Sequence, residues 1–148
     1  MRTRTLLVRS AVTMLFAGAA TIGLTSPASA ATCSGSSCDG KNPSTYCQSD
    51  ARTVQSLALG QAVLELRYSP TCRAAWARIS NASYNTFDQF TPYATVHRNS
   101  DGREYSCSVS TSGSSCYTLM VNDANVTSYA YGHYDNGPWT YYGTTGSY

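Results

Sequence analysis

Glu65, Arg67, Arg78, Arg98, His97 and His133 are the side chains whose types could carry proton chemistry in this 148-residue chain. A carboxylate that takes a proton from a 2′-hydroxyl, an imidazole that protonates the leaving oxygen and a guanidinium that clamps the phosphate would together cleave a phosphodiester. Their spacing argues for something plainer. Glu65 and Arg67 stand two apart between Leu64, Leu66 and Tyr68, as they would on the wet side of a strand whose dry side is apolar. An ion pair there contributes ~0.2 to 1 kcal/mol and needs no substrate. No G-x-S-x-G string marks a nucleophile. No catalytic residue is assigned, and a small hydrolase built on Glu65 and a histidine is kept as the alternative to a binding protein.

The second set of chemistry-bearing residues is aromatic. Tyr129, Tyr131, Tyr134, Trp139, Tyr141, Tyr142 and Tyr148 crowd the last twenty positions, 129–148. Rings on a strand either pack across the sheet or stand outward, where they stack on sugars or on a protein partner. Adjacent residues of a strand point to opposite faces, so one of Tyr141 and Tyr142 faces outward. Tyr134, Trp139, Tyr141 and Tyr142 are the candidate binding residues, with a cell-wall polysaccharide or an extracellular protein as the partner.

Six cysteines, Cys33, Cys38, Cys47, Cys72, Cys107 and Cys116, admit two uses. Metal ligation is disfavoured because no C-x-x-C pair occurs and the histidines are far apart in sequence; no cofactor is expected. An even count in a chain headed for an oxidising compartment reads as disulfides, with about 15 connectivities open. Sequence locality favours Cys33 with Cys38, Cys47 with Cys72, and Cys107 with Cys116 across a "SVSTSGSS" hairpin.

The elements that must position these residues are strands. Beyond position 30 the chain holds two Glu, one Lys and one Met, while Tyr, Thr, Ser, Gly and Val abound; helix-favouring residues are scarce and those suited to a pleated surface are common. "ATCSGSSCDGKNPSTYC" reads as an irregular loop over 31–49. Alternation on both sides of Gly60 and Gln61 predicts a hairpin, with a helix over 50–59, capped by Asp50, as the competing reading. Ser69 and Pro70 predict one helical turn, and "AAWARIS" a strand with Trp76 against the core, a continued helix with Cys72, Trp76 and Ile79 on one stripe being the competing reading. "YATVHRNSDGREYSCSV" predicts a hairpin turning at "NSDG", followed by two strands around "NDAN" and an aromatic hairpin over 129–148. Seven or eight short strands make a small antiparallel sandwich or barrel.

Three arginines, an apolar run and "SPASA" occupy positions 1–30 as in a secretory leader, predicting a single extracellular domain over 31–148. The apolar run is shorter than the ~20 residues of a membrane span, so no membrane association is expected after cleavage. Without the leader's three arginines, the ten Lys plus Arg fall to seven against eight Asp plus Glu. That balance lacks the basic footprint of a nucleic-acid binder. "NAS" at Asn81 and "NVT" at Asn125 match the glycosylation sequon and are read as incidental.

The strings "CSGSSCDGKNP", "DARTV", "LELRYSPTCRAAWARI", "NSDG" and "MVND" resemble the YjfA-like secreted domain family of actinobacteria and bacilli. The likeness covers nearly all of 31–148 and is most distinctive over "LELRYSPTCRAAWARI". It implies a family of unknown function without assigned catalytic residues. Cys33, Cys38, Cys47 and Cys72 match its pattern, whereas Cys107, Cys116 and the aromatic tail look particular to this chain.

Overall fold

β1 (Arg52–Leu59), whose register shifts between Thr53 and Gln55, and the alternating β2 (Ala62–Ser69) are joined by a turn in which Gly60 takes the positive φ that a side chain would resist. In the computed structural model, which describes residues 33–148, the competing helix over 50–59 is replaced by this hairpin: Leu57 pairs Leu64 and Leu59 pairs Ala62, so the leucines gather on one side. The leader expected over 1–30 lies outside the described residues. A sharp turn leads from β2 into β3 (Ala74–Ser80). The helical turn expected after Pro70 does not form; Arg73 adopts φ 49°, and Ser69 Oγ instead accepts the Cys72 N–H at 3.1 Å.

"NSDG" turns β4 (Tyr93–Arg98) into β5 (Glu104–Ser108) as expected. Two short pieces, β6 (Cys116–Tyr117) and β7 (Val121–Asn122), both pair with β3, and the aromatic tail forms β8 (Ser128–Asp135) and β9 (Thr140–Thr144). The nine strands make two antiparallel sheets. The first runs β1-β2-β3-β6 with β7 also on β3, and the second runs β5-β4-β8-β9.

Leu59, Leu64, Leu66, Ala77 and Ile79 from the first sheet meet Ala94, Val96, Ala130 and Tyr134 from the second in one apolar core. The architecture is therefore a sandwich, with Leu64 and Leu66 contributing about 1.5 to 3 kcal/mol each by burial. Gly132 sits where the sheets close: a Cβ there would lie 3.1 Å from Cδ1 of Leu64 on the facing sheet.

Residues paired across antiparallel strands share a face. Glu65 opposite Arg78, and Arg67 opposite Trp76, thus define the outer face of the first sheet. Trp76 is nonetheless buried, because the N-terminal segment lies over it and joins Cys33, Cys38, Cys47, Cys72, Ala74 and Met120 in a second cluster. That segment is more regular than expected, with a 3-10 turn at Gly35–Cys38 and a helical turn at Pro43–Tyr46 whose Asn42 cap accepts the Ser44 N–H. Its backbone docks through Gly35 N to Cys72 O and Gly40 N to Met120 O.

The disulfides are Cys33–Cys38, Cys47–Cys72 and Cys107–Cys116. The pairing read from locality holds, but the hairpin ascribed to the last pair does not. Cys107 lies on β5 of the second sheet and Cys116 on β6 of the first, so the bond ties sheet to sheet.

Candidate functional site

Period-two alternation along β8 sends Ala130 and Tyr134 into the core and Tyr129, Tyr131 and His133 to the outer face of the second sheet. Across the sheet, Tyr93 pairs His133, His133 pairs Tyr142, and His97 pairs Tyr129. The rings form two stacks. His97 lies on Tyr129 at 4.6 Å between centroids, with Tyr131 beyond at 6.3 Å. His133 is held between Tyr142 at 3.9 Å and Phe90 at 4.2 Å, with the edge of Tyr93 at 5.8 Å.

One end of this face exposes apolar surface. Asn85 donates to Asp135 at 2.7 Å and to Asp88 at 2.9 Å, fastening the loop before β4 to the end of β8. On that loop Phe87 is 88% exposed, while Trp139, in the turn between β8 and β9, and Tyr142 are 67% and 72% exposed. Asp135 anchors the corner, accepting the Thr140 hydroxyl, the Gly137 N–H and Asn85. These bonds, the Thr140 hydroxyl foremost, hold its carboxyl below the usual range. His133 is 8% exposed and its Nε2 has no hydrogen-bond partner among the described residues. Burial pushes its pKa down against the opposing charge of Asp135, keeping the ring neutral and apolar in behaviour.

Of the residues predicted to bind, Trp139 and Tyr142 reach this face. Tyr134 is corrected to a core residue: it is 2% exposed and its hydroxyl accepts from Gln61 Nε2 at 2.5 Å. Tyr141 also turns inward, against Tyr134 and over Gly60, so Tyr142 is the outward member of the pair. Phe87, Phe90, Tyr93 and His133 were not anticipated; for His133 the signal was present, since it continues the odd-numbered face of Tyr129 and Tyr131.

The acid–base set does not assemble. Glu65 stands on the outer face of the first sheet and both histidines on the outer face of the second, with two sheets about 10 Å apart between them. His97 Nδ1 pairs instead with Glu104 at 2.7 Å on the open sheet surface. Arg98 is enclosed by carboxylates, bonding Asp39 through Nη1 at 2.9 and 3.0 Å and Asp101 through Nε at 2.8 Å; the Asp101 contact in particular raises its pKa. It is a strut between the N-terminal segment and the β4–β5 turn. Arg67 and Arg78 line a cleft of about 400 Å³ on the outer face of the first sheet.

Four sulfurs, of Cys33, Cys38, Cys47 and Cys72, lie within 4.8 Å of one another. Paired as two disulfides they present no thiolate, the form that ligates metal.

Residues 36–131 match the family described as "Protein of unknown function (DUF2690)". The chain is 38% identical over 125 residues to the uncharacterized protein YjfA of Bacillus subtilis (strain 168), an alignment covering 74% of this chain and 79% of that protein. No solved structure matches. The family match takes in Arg67, Trp76 and Arg78 and ends before Trp139 and Tyr142. Over more than half its length, then, and with a relative aligned across most of its fold, the chain belongs to the DUF2690 family, one of unknown function.

Proposed function

We propose that the chain is a secreted, non-enzymatic binding module of the cell exterior that holds a polysaccharide against the outer aromatic face of its second sheet. The observation that carries this reading is the grouping of three exposed rings, Phe87, Trp139 and Tyr142, at one end of a sheet already paved with stacked rings. Single exposed aromatics are ordinary, whereas three on neighbouring segments, the loop that Asn85 fastens to Asp135 and the β8–β9 hairpin, point to an interaction surface. Flat rings with polar tips suit the apolar C–H faces of a sugar, and the exposed carboxylate of Asp88 offers an acceptor for hydroxyls at the margin. Secretion is supported by three disulfides with no free cysteine among the described residues. It is further supported by the leader-like sequence at 1–30.

The test is retention of the exported form on insoluble peptidoglycan and chitin. The chain is expected in the bound fraction of at least one polymer. Replacing Trp139 and Tyr142 together by alanine is expected to weaken retention about tenfold or more, at roughly 0.5 to 1.5 kcal/mol per ring contact. Recovery of all the protein in the unbound fraction counts against the reading, as does equal retention of the double variant. Capture only by extracellular protein fractions would transfer the same face to a protein partner.

A further inference from the structure

The outer face of the first sheet carries a second site of different chemistry. Its cleft, about 400 Å³, is lined by Arg67, Trp76, Arg78 and Tyr117, with Ser44, Gln48 and Ser115 at the margin. That volume falls in the range of small-molecule pockets, about 300 to 1,000 Å³. The pleat explains the arrangement: Arg67 pairs Trp76 across β2 and β3, and Arg78 pairs both Glu65 and Tyr117, so all five side chains share one face. The N-terminal helical turn supplies the opposite wall through Ser44.

Charge in the cleft is unbalanced. Among the described residues Glu65 is the single carboxylate contacting its two guanidiniums, at 3.7 Å from Arg67 Nη1 and 3.6 Å from Arg78 Nε. Both distances exceed a hydrogen bond. Glu65 spends its close contact on the Thr53 hydroxyl at 2.6 Å, and Arg67 Nη1 donates to the same hydroxyl oxygen at 2.8 Å. The Arg78 guanidinium makes no hydrogen bond to any described residue, which leaves its fork of donors unfilled beside an aromatic wall. Two fixed positive charges against one negative leave a net single positive charge.

We propose that this cleft binds a monoanionic carboxylate carried on a planar or apolar body, the carboxylate engaging Arg78 and Arg67 and the body lying against Tyr117 and the edge of Trp76. A carboxylate matches the guanidinium fork in shape and the cleft in charge. The site is independent of the aromatic face, from which both sheets separate it.

Sodium benzoate is the probe, titrated into the disulfide-intact exported chain, with acetate and inorganic phosphate in parallel. Nuclear magnetic resonance signals of the Arg78 Nε–H and the Trp76 indole N–H give the readout. Benzoate is expected to shift both along saturable curves and to bind more tightly than acetate, which has no ring, and than phosphate. Arg78→Gln is expected to weaken benzoate about tenfold, the loss of a charge-assisted contact. Glu65→Gln, which removes the competing charge and keeps an acceptor for Thr53, is expected to tighten it. Both positions lie on the sheet surface, so a normal thermal midpoint certifies each variant. Absence of saturation, an unchanged affinity in Arg78→Gln, weaker binding in Glu65→Gln, or phosphate binding ahead of benzoate would each overturn the assignment.

Discussion

The two sheets share one core yet turn opposite characters outward. The first carries Glu65, Arg67, Arg78 and a tryptophan roofed by the cysteine-rich segment. Among the described residues the second carries no such roof, and its tyrosines, histidines and Phe90 cover it by stacking on one another. Two of the three disulfides serve the roof, and the third joins the sheets beneath it. The difference teaches how a short β chain obtains rigidity: one face gains it from covalent and ionic attachment of a segment that has no core of its own, the other from ring packing along neighbouring strands.

If attachment is what distinguishes the first face, cutting the ionic strut has the largest effect. Arg98→Ala leaves Asp39 of the roof with only the backbone N–H of Asn122 at 2.6 Å close by among the described residues, and Arg103 no nearer than 3.9 Å. Breaking one partner out of a buried pair costs about 3 to 5 kcal/mol. Chemical denaturation is expected to show that loss, and hydrogen exchange is expected to quicken first at Gly35 and Gly40, whose N–H groups dock the roof. Equal acceleration across β8 and β9 would remove the distinction between the faces.

Removing Cys47–Cys72 sharpens the same comparison at slightly lower magnitude. The bond closes a loop of sequence separation 25, for which the chain-entropy account gives roughly 3 kcal/mol. The double replacement by alanine is expected to lower the unfolding free energy by that amount and to abolish the benzoate response, because Ser44 and Gln48 flank the freed position. Retention on polysaccharide, which uses the other sheet, is expected to survive at temperatures where the core persists.

How much of this was written in the sequence differs by face. The strands were legible because "VLELRYS" and "YATVHR" alternate with period two and "NSDG" is a hairpin turn. The roof was not. Alternation assigns Trp76 to a face but not to an environment, and the four consecutive buried residues Ala74–Ala77 record burial on both sides of β3, which only the folded N-terminal segment creates. The disulfide pairs followed from proximity along the chain, yet the sheet change between Cys107 and Cys116 left no local trace. Tyr134 illustrates a recoverable error: one step beyond His133, it belongs to the inward register with Ala130. Phe87 was beyond reach, since its loop has no alternation and is placed by the long-range bond from Asn85 to Asp135.

The smallest effect lies within the second face and is a matter of pH. His133 has its pKa lowered by burial, so the unfolded chain binds its proton more readily than the native one. Stability from this group is full above the unfolded value of about 6.5 and declines as pH falls through it. Asp123 works in the opposite sense: burial raises its pKa to about 6 against the Ser128 hydroxyl bond, so its contribution is full at low pH and is lost as pH rises from about 4 toward 6. The wild-type profile sums both slopes, and the difference between wild type and His133→Phe isolates the histidine. Phenylalanine fills the stack between Phe90 and Tyr142 and removes the unpartnered Nε2, so at pH 8 the two forms are expected to agree within about 1 kcal/mol. Below pH 6.5 the variant is expected to gain steadily on the wild type in denaturation midpoint. A constant difference from pH 8 to pH 5 would mean that His133 is as accessible to its proton in the fold as out of it, and the ring stack would then be an open surface rather than a self-covering one.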